Sequence, residues 1–354
     1  MYQPGMKSKN LLGLDLEELT ALAVSMGERP FRGRQLYCQI YRRKQFDLST
    51  MTDLGRSFRD RLSEMYSVQL PRVQKRTVSA DGTVKFLLAL QDGQLIETVY
   101  IPEVSRDTLC ISSQVGCDVG CTFCMTARMG FRRNLRPGEI VGQVLLVMQE
   151  GYLPERGFNI VFMGMGEPLY NYQNVLKAFR LFVDSVGMDL SYRKVTLSTS
   201  GVVPVLEKLA SEPVVPNLAI SLNATTEETR HQIMPINEKW SMEELLDCCR
   251  RFPLDARRRI TFEYVLLAGE NDSDRDAHRL GSLLRRIPAK VNLIPFNPSP
   301  GLSHRRPSAE RVEHFRSLLN KKGLAAFVRR TRGGDVSAAC GQLAHLESQP
   351  LRYG

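Results

Sequence analysis

The chain has 354 residues, 43% of them hydrophobic and 24% charged, with 48 Lys and Arg against 38 Asp and Glu for a formal net charge of +10. This composition excludes a disordered, collagen-like or low-complexity protein and supplies apolar material for one large domain plus a small one. No run approaches the roughly 18 apolar residues of a membrane-spanning helix, and the basic excess favours a polyanionic partner such as nucleic acid.

Asp15, Glu17 and Glu18 interrupt any apolar stretch near the N-terminus, so no secretory signal and a cytoplasmic location are expected. Residues 15–67 read as helices. Leu16, Leu19, Leu22 and Ala23 recur at helical spacing before Gly27, and further helices are expected over 34–44 and 54–66. Arg29, Arg32, Arg34, Arg42, Arg43 and Lys44 concentrate there, as a solvated helix face or a phosphate-binding one. Residues 83–90 and 95–101 are rich in strand formers, and Asp81-Gly82 and Asp92-Gly93 supply turns, so a small antiparallel meander follows.

From residue 107 short apolar runs alternate with helical patterns. The runs are 108–112, 159–163, 194–199, 217–222, 260–266 and 291–296; the helices are 136–150, 173–186, 205–211, 242–252 and 275–287. Such alternation implies a parallel sheet with right-handed crossovers. Six units fall short of a closed eight-fold barrel, so the expected fold is α/β, an open partial (β/α)6 barrel. A helix at 309–322 and a strand at 324–330 complete it. The expected division is a helical accessory domain over 1–70, a β extension over 71–106 and the barrel over 107–354.

In a cytoplasmic chain, the eight cysteines are candidates for metal ligation or catalysis before structural bridges. Cys117, Cys121 and Cys124 form C-x3-C-x2-C just after the first run of the barrel. Ordinary iron–sulfur clusters take four cysteines; three leave one iron open to a substrate or cofactor. The competing reading is zinc, which wants four ligands and two paired elements. No second pair is present: Cys248 and Cys249 are adjacent, and Cys38, Cys110 and Cys340 are isolated.

C-x3-C-x2-C with an aromatic before the last cysteine resembles the radical-SAM signature. TLCISSQVGC (108–117), GFRRNLRPGEIVGQV (130–144), FMGMGEPL (162–169), VTLSTSG (195–201), AISLNATT (219–226), NLIPFNP (292–298) and AACGQL (338–343) resemble one family within it, the bacterial dual-specificity RNA methyltransferases acting on carbon 2 of adenine. FRGRQL (31–36) also fits, so the resemblance covers nearly the whole chain.

The resemblance implies a 4Fe-4S cluster on Cys117, Cys121 and Cys124, and S-adenosylmethionine (SAM) contacts at Gly166, Glu167, Ser198, Ser221, Leu222, Asn223 and Asn297; many relatives carry His at the position of Asn223. It implies that Cys340 takes a methyl group from a first SAM. A second SAM yields a 5′-deoxyadenosyl radical that removes a hydrogen from the S-methyl group, and the carbon radical adds to adenine. Cys110 then attacks the sulfur of Cys340, forming a transient disulfide and releasing the base, and Glu97 acts as proton acceptor. Without the resemblance each lone cysteine reads as a small buried hydrophobe and Glu97 as a strand carboxylate facing solvent.

The implied partners are 23S rRNA in the peptidyl-transferase region, tRNA at the adenosine beside the anticodon, and an electron donor such as flavodoxin, with the enzyme a monomer. Two other readings remain: a related methyltransferase acting on carbon 8 of the adenine, and a non-catalytic, zinc-stabilised RNA-binding module.

Overall fold

The computed structural model describes residues 9–104, 106–154, 157–255 and 257–344. The N-terminal part is helical, as expected. Helix α1 (Leu16–Ser25) starts in a capping box: Asp15 accepts from the Glu18 amide and Glu18 from the Asp15 amide, both at 2.9 Å. Helix α2 (Pro30–Tyr37) begins earlier than its apolar pattern suggests, because Pro30 is preorganised for the first helical turn. It ends in a π-turn at Cys38–Arg42, so the single helix expected over 34–44 is two pieces. Helix α3 (Arg56–Met65) buries Phe58 and Leu62. A two-residue strand, Tyr66–Ser67, then pairs in parallel with Lys9–Asn10.

Ten strands follow, lying side by side in chain order: β1 (Arg72–Val78), β2 (Val84–Ala89), β3 (Leu95–Ile101), β4 (Thr108–Cys110), β5 (Asn159–Phe162), β6 (Val195–Thr199), β7 (Asn217–Ser221), β8 (Ile260–Leu266), β9 (Ala289–Pro295) and β10 (Ala326–Val328). Neighbours from β1 to β4 are antiparallel and those from β4 to β10 parallel. The meander is therefore the edge of the barrel sheet itself. Among the described residues β1 and β10 do not pair, so the barrel stays open. Strand β1 was hidden in the sequence because Arg72, Gln74, Lys75 and Arg76 face solvent on an edge, where no apolar alternation is required.

The crossovers carry helices α4 (Met125–Arg128), α5 (Pro137–Gln149), α6 (Tyr172–Val183), α7 (Val203–Ala210), α8 (Glu227–Ile233), α9 (Met242–Arg251), α10 (Asp274–Leu283) and α11 (Ala309–Lys321). Outward-facing strand residues such as Ile160, Leu197, Ile220, Phe262 and Leu293 are buried, whereas the alternate positions carry Thr196, Ser198, Asn217, Ser221, Thr261, Glu263 and Asn292. The core thus sits between sheet and helices, and the lumen is polar. The N-terminal helices dock outside the barrel on α6: Lys177 pairs with Glu18 at 2.5 Å, and the Tyr37 hydroxyl donates to Asp184 at 3.0 Å. No helix among the described residues is long and apolar enough to cross a membrane.

Candidate active site

A cleft of about 930 Å³ opens at the C-terminal ends of the parallel strands. One wall is the cysteine loop. Strand residues Gln114–Val115 pair antiparallel with Arg133–Asn134 and pinch the loop at its base. Gly116 has φ +75°, and a Cβ there would fall 1.7 Å from the Gly130 carbonyl oxygen, so only glycine closes this neck. Cys117, Cys121 and Cys124 all line the cleft, and the Cys124 amide donates to the Cys121 carbonyl at 3.1 Å.

Burial pushes the Cys117 thiol up to about 12, and it raises Cys121 and Cys124 with the neighbouring sulfurs adding. Three sulfurs that disfavour one another's negative charge suit a positively charged metal core, which binds the deprotonated form. No three Cys, His, Asp or Glu side chains among the described residues converge tightly enough for a single ion. Three cysteine sulfurs without a fourth ligand fall short of the four that structural zinc takes, and would suit an iron–sulfur cluster with an open position.

The opposite wall is the turn after β5. Gly166 has φ +100°, and a Cβ there would meet the Gln114 side chain at 2.5 Å. Glu167 follows, buried, with its amide bonded to Gln114 Oε1 at 2.8 Å. One carboxylate oxygen accepts from the Leu169 amide at 2.9 Å, the other from the amide and hydroxyl of Ser200, both at 2.7 Å. Burial raises this carboxyl, and those hydrogen bonds oppose the rise. A lone pair remains on a fixed, cleft-facing oxygen that can accept from an ammonium.

Ser198, Ser221, Asn223 and Asn297 also line the cleft. Asn223 has φ +58°, a conformation asparagine tolerates better than most residues. Its Oδ1 accepts from the Val265 amide at 2.8 Å and its Nδ2 points to Met234 Sδ at 3.2 Å. Leu222 does not line the cleft. Its side chain is fully buried, its amide donates to the Glu263 carbonyl, and its carbonyl accepts from Arg230 Nε.

Cys340 lies on the loop after β10 and borders both this cleft and a second cavity of about 2000 Å³ that runs down the lumen past Cys110. Asn297 Nδ2 donates to the Cys340 carbonyl at 3.2 Å, while the Met125 amide donates to Gly341 and Thr126 Oγ1 to Leu343. Burial pushes Cys110 up to about 12; the Cys340 sulfur adds, and Arg329 opposes. The disulfide between Cys110 and Cys340 is not formed: both are free, as are the other described cysteines. A methyl acceptor needs this state, because a sulfur held in a disulfide has no thiolate to offer. Cys38, Cys248 and Cys249 lie outside the site.

Residues 111–280 match the Radical SAM superfamily, and residues 9–68 match the ribosomal RNA large subunit methyltransferase N-terminal domain. The chain is 51% identical to the dual-specificity RNA methyltransferase RlmN of Anaeromyxobacter dehalogenans, over 95% of this chain and 91% of that one. It belongs to the RlmN family. The RlmN of Paracoccus denitrificans is 48% identical over 96% of this chain and 90% of its own. A crystal structure of a radical SAM methyltransferase from Sphaerobacter thermophilus superposes with a TM-score of 0.90 at 42% identity, covering 95% of this chain and 99% of that one.

As an RlmN-family member the chain is a SAM-dependent radical-SAM RNA methyltransferase. This sets aside the non-catalytic zinc module. Glu97, like Leu222 and Cys110, does not line the cleft: it sits buried on β3 beside Lys85. Among the cleft residues that the sequence reading did not single out are Ser200, Glu263 and Arg329; the signal was their place at or near barrel strand ends.

Proposed function

We propose that this RlmN-family enzyme methylates carbon 2 of adenine in 23S rRNA and in tRNA, in the cytoplasm and as a monomer, using two SAM per turnover and an electron donor such as flavodoxin. The observation that carries the reading is the position of Cys340, which borders both the cleft with the three cysteines and the cavity with Cys110. A 4Fe-4S cluster held by Cys117, Cys121 and Cys124 supplies, with SAM, the radical chemistry needed at a carbon that cannot act as a nucleophile.

The protein's own groups do the rest. Glu167 orients SAM through its ammonium, and Ser198, Ser221, Asn223 and Asn297 complete the pocket. The Cys340 thiolate attacks the SAM methyl carbon and displaces the thioether. Asn297 steadies the Cys340 carbonyl during transfer. Once the methyl-derived carbon is joined to the base, Glu97 takes the ring proton; its burial suits a proton acceptor. Cys110 then attacks the Cys340 sulfur, a disulfide forms as the sulfur–carbon electron pair passes to the base-borne carbon, that carbon takes up a proton to become the methyl group, and an external reductant restores both thiols. The match of residues 9–68 to an rRNA methyltransferase N-terminal domain supports RNA binding there and favours carbon 2 over the carbon-8 alternative.

Anaerobic incubation with SAM, reductant and RNA fragments tests the reading, with nucleosides compared to 2- and 8-methyladenosine standards. Wild type gives the former, Cys110→Ala accumulates a covalent protein–RNA adduct, and Cys340→Ala makes no methylated base. Methylated product from Cys340→Ala would overturn the scheme.

A further inference from the structure

Arg230, in α8, is 1% exposed and heads the largest fully buried side chains of the described residues. Its guanidinium is satisfied only by neutral acceptors. Nε donates to the Leu222 carbonyl at 3.2 Å, Nη1 to Asn237 Oδ1 at 2.7 Å, and Nη2 to the carbonyls of Ser200 at 2.6 Å and Ser221 at 3.5 Å. No carboxylate forms an ion pair with it among the described residues. Glu227, in the same helix, is turned to Asn237 and to the amides of Met242 and Glu243.

A buried cation without an anion is costly, and buried charges in folded proteins are as a rule paired. Burial pushes this guanidinium down to about 10. The groups that favour its charge are the Cys121 sulfur first, then Glu227 and Cys249. The cysteine loop also rests on the helix that carries Arg230, through the Thr122 amide donating to the Ile233 carbonyl at 3.1 Å. Two of its partners, Ser200 and Ser221, line the same cleft as Cys121, so the missing anion belongs on the sulfur side of Arg230.

We propose that Arg230 is a built-in counter-cation for the iron–sulfur cluster, a positioning residue that holds the cluster's negative charge and raises its reduction potential. Three thiolates leave a 4Fe-4S core with net negative charge, and reduction adds one more. A fixed neighbouring cation favours the more negative state, so it makes the electron easier to accept. Its other bonds, to the ends of β6 and β7, tie the same cation to the strand ends that line the SAM side of the cleft. The inference rests on the cluster reading above.

The test is an EPR-monitored redox titration of anaerobically reconstituted wild type, R230K and R230Q, without SAM or RNA. R230K keeps the charge and a midpoint near wild type. R230Q removes it and shifts the reduced-to-oxidised ratio at a fixed potential at least tenfold toward the oxidised form, about 59 mV more negative for one electron. Iron-loaded R230Q with the wild-type midpoint overturns the inference. Should R230Q take up no iron, its apoprotein decides: an unchanged thermal midpoint supports the charge role, whereas a collapsed one shows only a structural clamp and overturns it. Wild type that binds no iron sinks the cluster reading itself, a distinguishable failure.

Discussion

Lys85 Nζ stands 3.0 Å from Glu97 Oε1, with the two side chains 14% and 3% exposed, and the same ammonium donates to the Ser337 carbonyl at 3.2 Å. One residue therefore touches both the carboxylate and the loop that carries Cys340. The other oxygen of Glu97 is buried without a hydrogen-bond partner. Burial raises this carboxyl above 4.5, and Lys85 opposes the rise.

A carboxyl so placed gives a pH-dependent step. As the proton acceptor proposed above, Glu97 would be competent only when ionised, so turnover is expected to rise with pH through an inflection above the ordinary carboxylate value of 4.5. Lys85→Ala removes a group that lowers the Glu97 pKa, so the inflection moves to higher pH. Glu97→Gln abolishes that limb and slows RNA methylation by about 10²–10⁴-fold, while methyl transfer to Cys340 continues. Peptide mass spectrometry of Cys340 alongside RNA product assays separates the two steps. Loss of both together would contradict the assignment.

The Cys340 loop is clasped to the β1–β2 turn. Asp335 accepts from Ser79 Oγ at 2.6 Å and from the Ala80 amide at 3.1 Å, and Asp81 accepts from the Gly333 amide at 3.0 Å. Asp335→Ala removes these contacts at the exposed end of the clasp. Losing the two Asp335 bonds while Asp81–Gly333 stays should make opening of the loop more frequent. Hydrogen exchange over 333–340 should accelerate while the global thermal midpoint stays nearly unchanged. Unchanged exchange in that segment would show that the clasp does not hold the loop.

The N-terminal arginines divide into two kinds. Arg43 pairs with Asp53, and Arg32 donates to Gln35 and to the Asp53 carbonyl, so both brace the small domain. Arg29, Arg34 and Arg42 are exposed. Charge reversal at Arg34 and Arg42 should weaken RNA binding and flatten its dependence on salt, with SAM cleavage intact. Arg43→Glu, at an exposed ion pair, should change the thermal midpoint little. Unchanged RNA affinity in the Arg34/Arg42 variant would move the RNA surface elsewhere.

Much of this architecture was legible because local rules and the global fold agree. The sequence pattern marked every parallel strand of the barrel sheet, and Cys117, Cys121 and Cys124 stood out by spacing. What escaped depends on tertiary context. Strand β1 shows no alternation because it is a solvent-facing edge. Leu222 sits in a matching motif yet points into the core, since a strand's neighbours face opposite sides. The sequence reading passed over Arg230 and its short helix, and only the packed structure shows that it is buried without an ion-paired carboxylate among the described residues. Glu97 lies on a strand rich in apolar residues, and its burial beside Lys85 depends on tertiary packing that no local pattern shows.

The most direct measurement uses SAM carrying a trideuterated methyl group, with wild-type enzyme, reductant and substrate RNA under anaerobic conditions. If a methyl group parked on Cys340 gives up one hydrogen atom before it joins the base, the isolated 2-methyladenosine carries two deuteriums and the third appears in 5′-deoxyadenosine. A product retaining all three, with no deuterated 5′-deoxyadenosine, would mean direct transfer from SAM and would contradict the account.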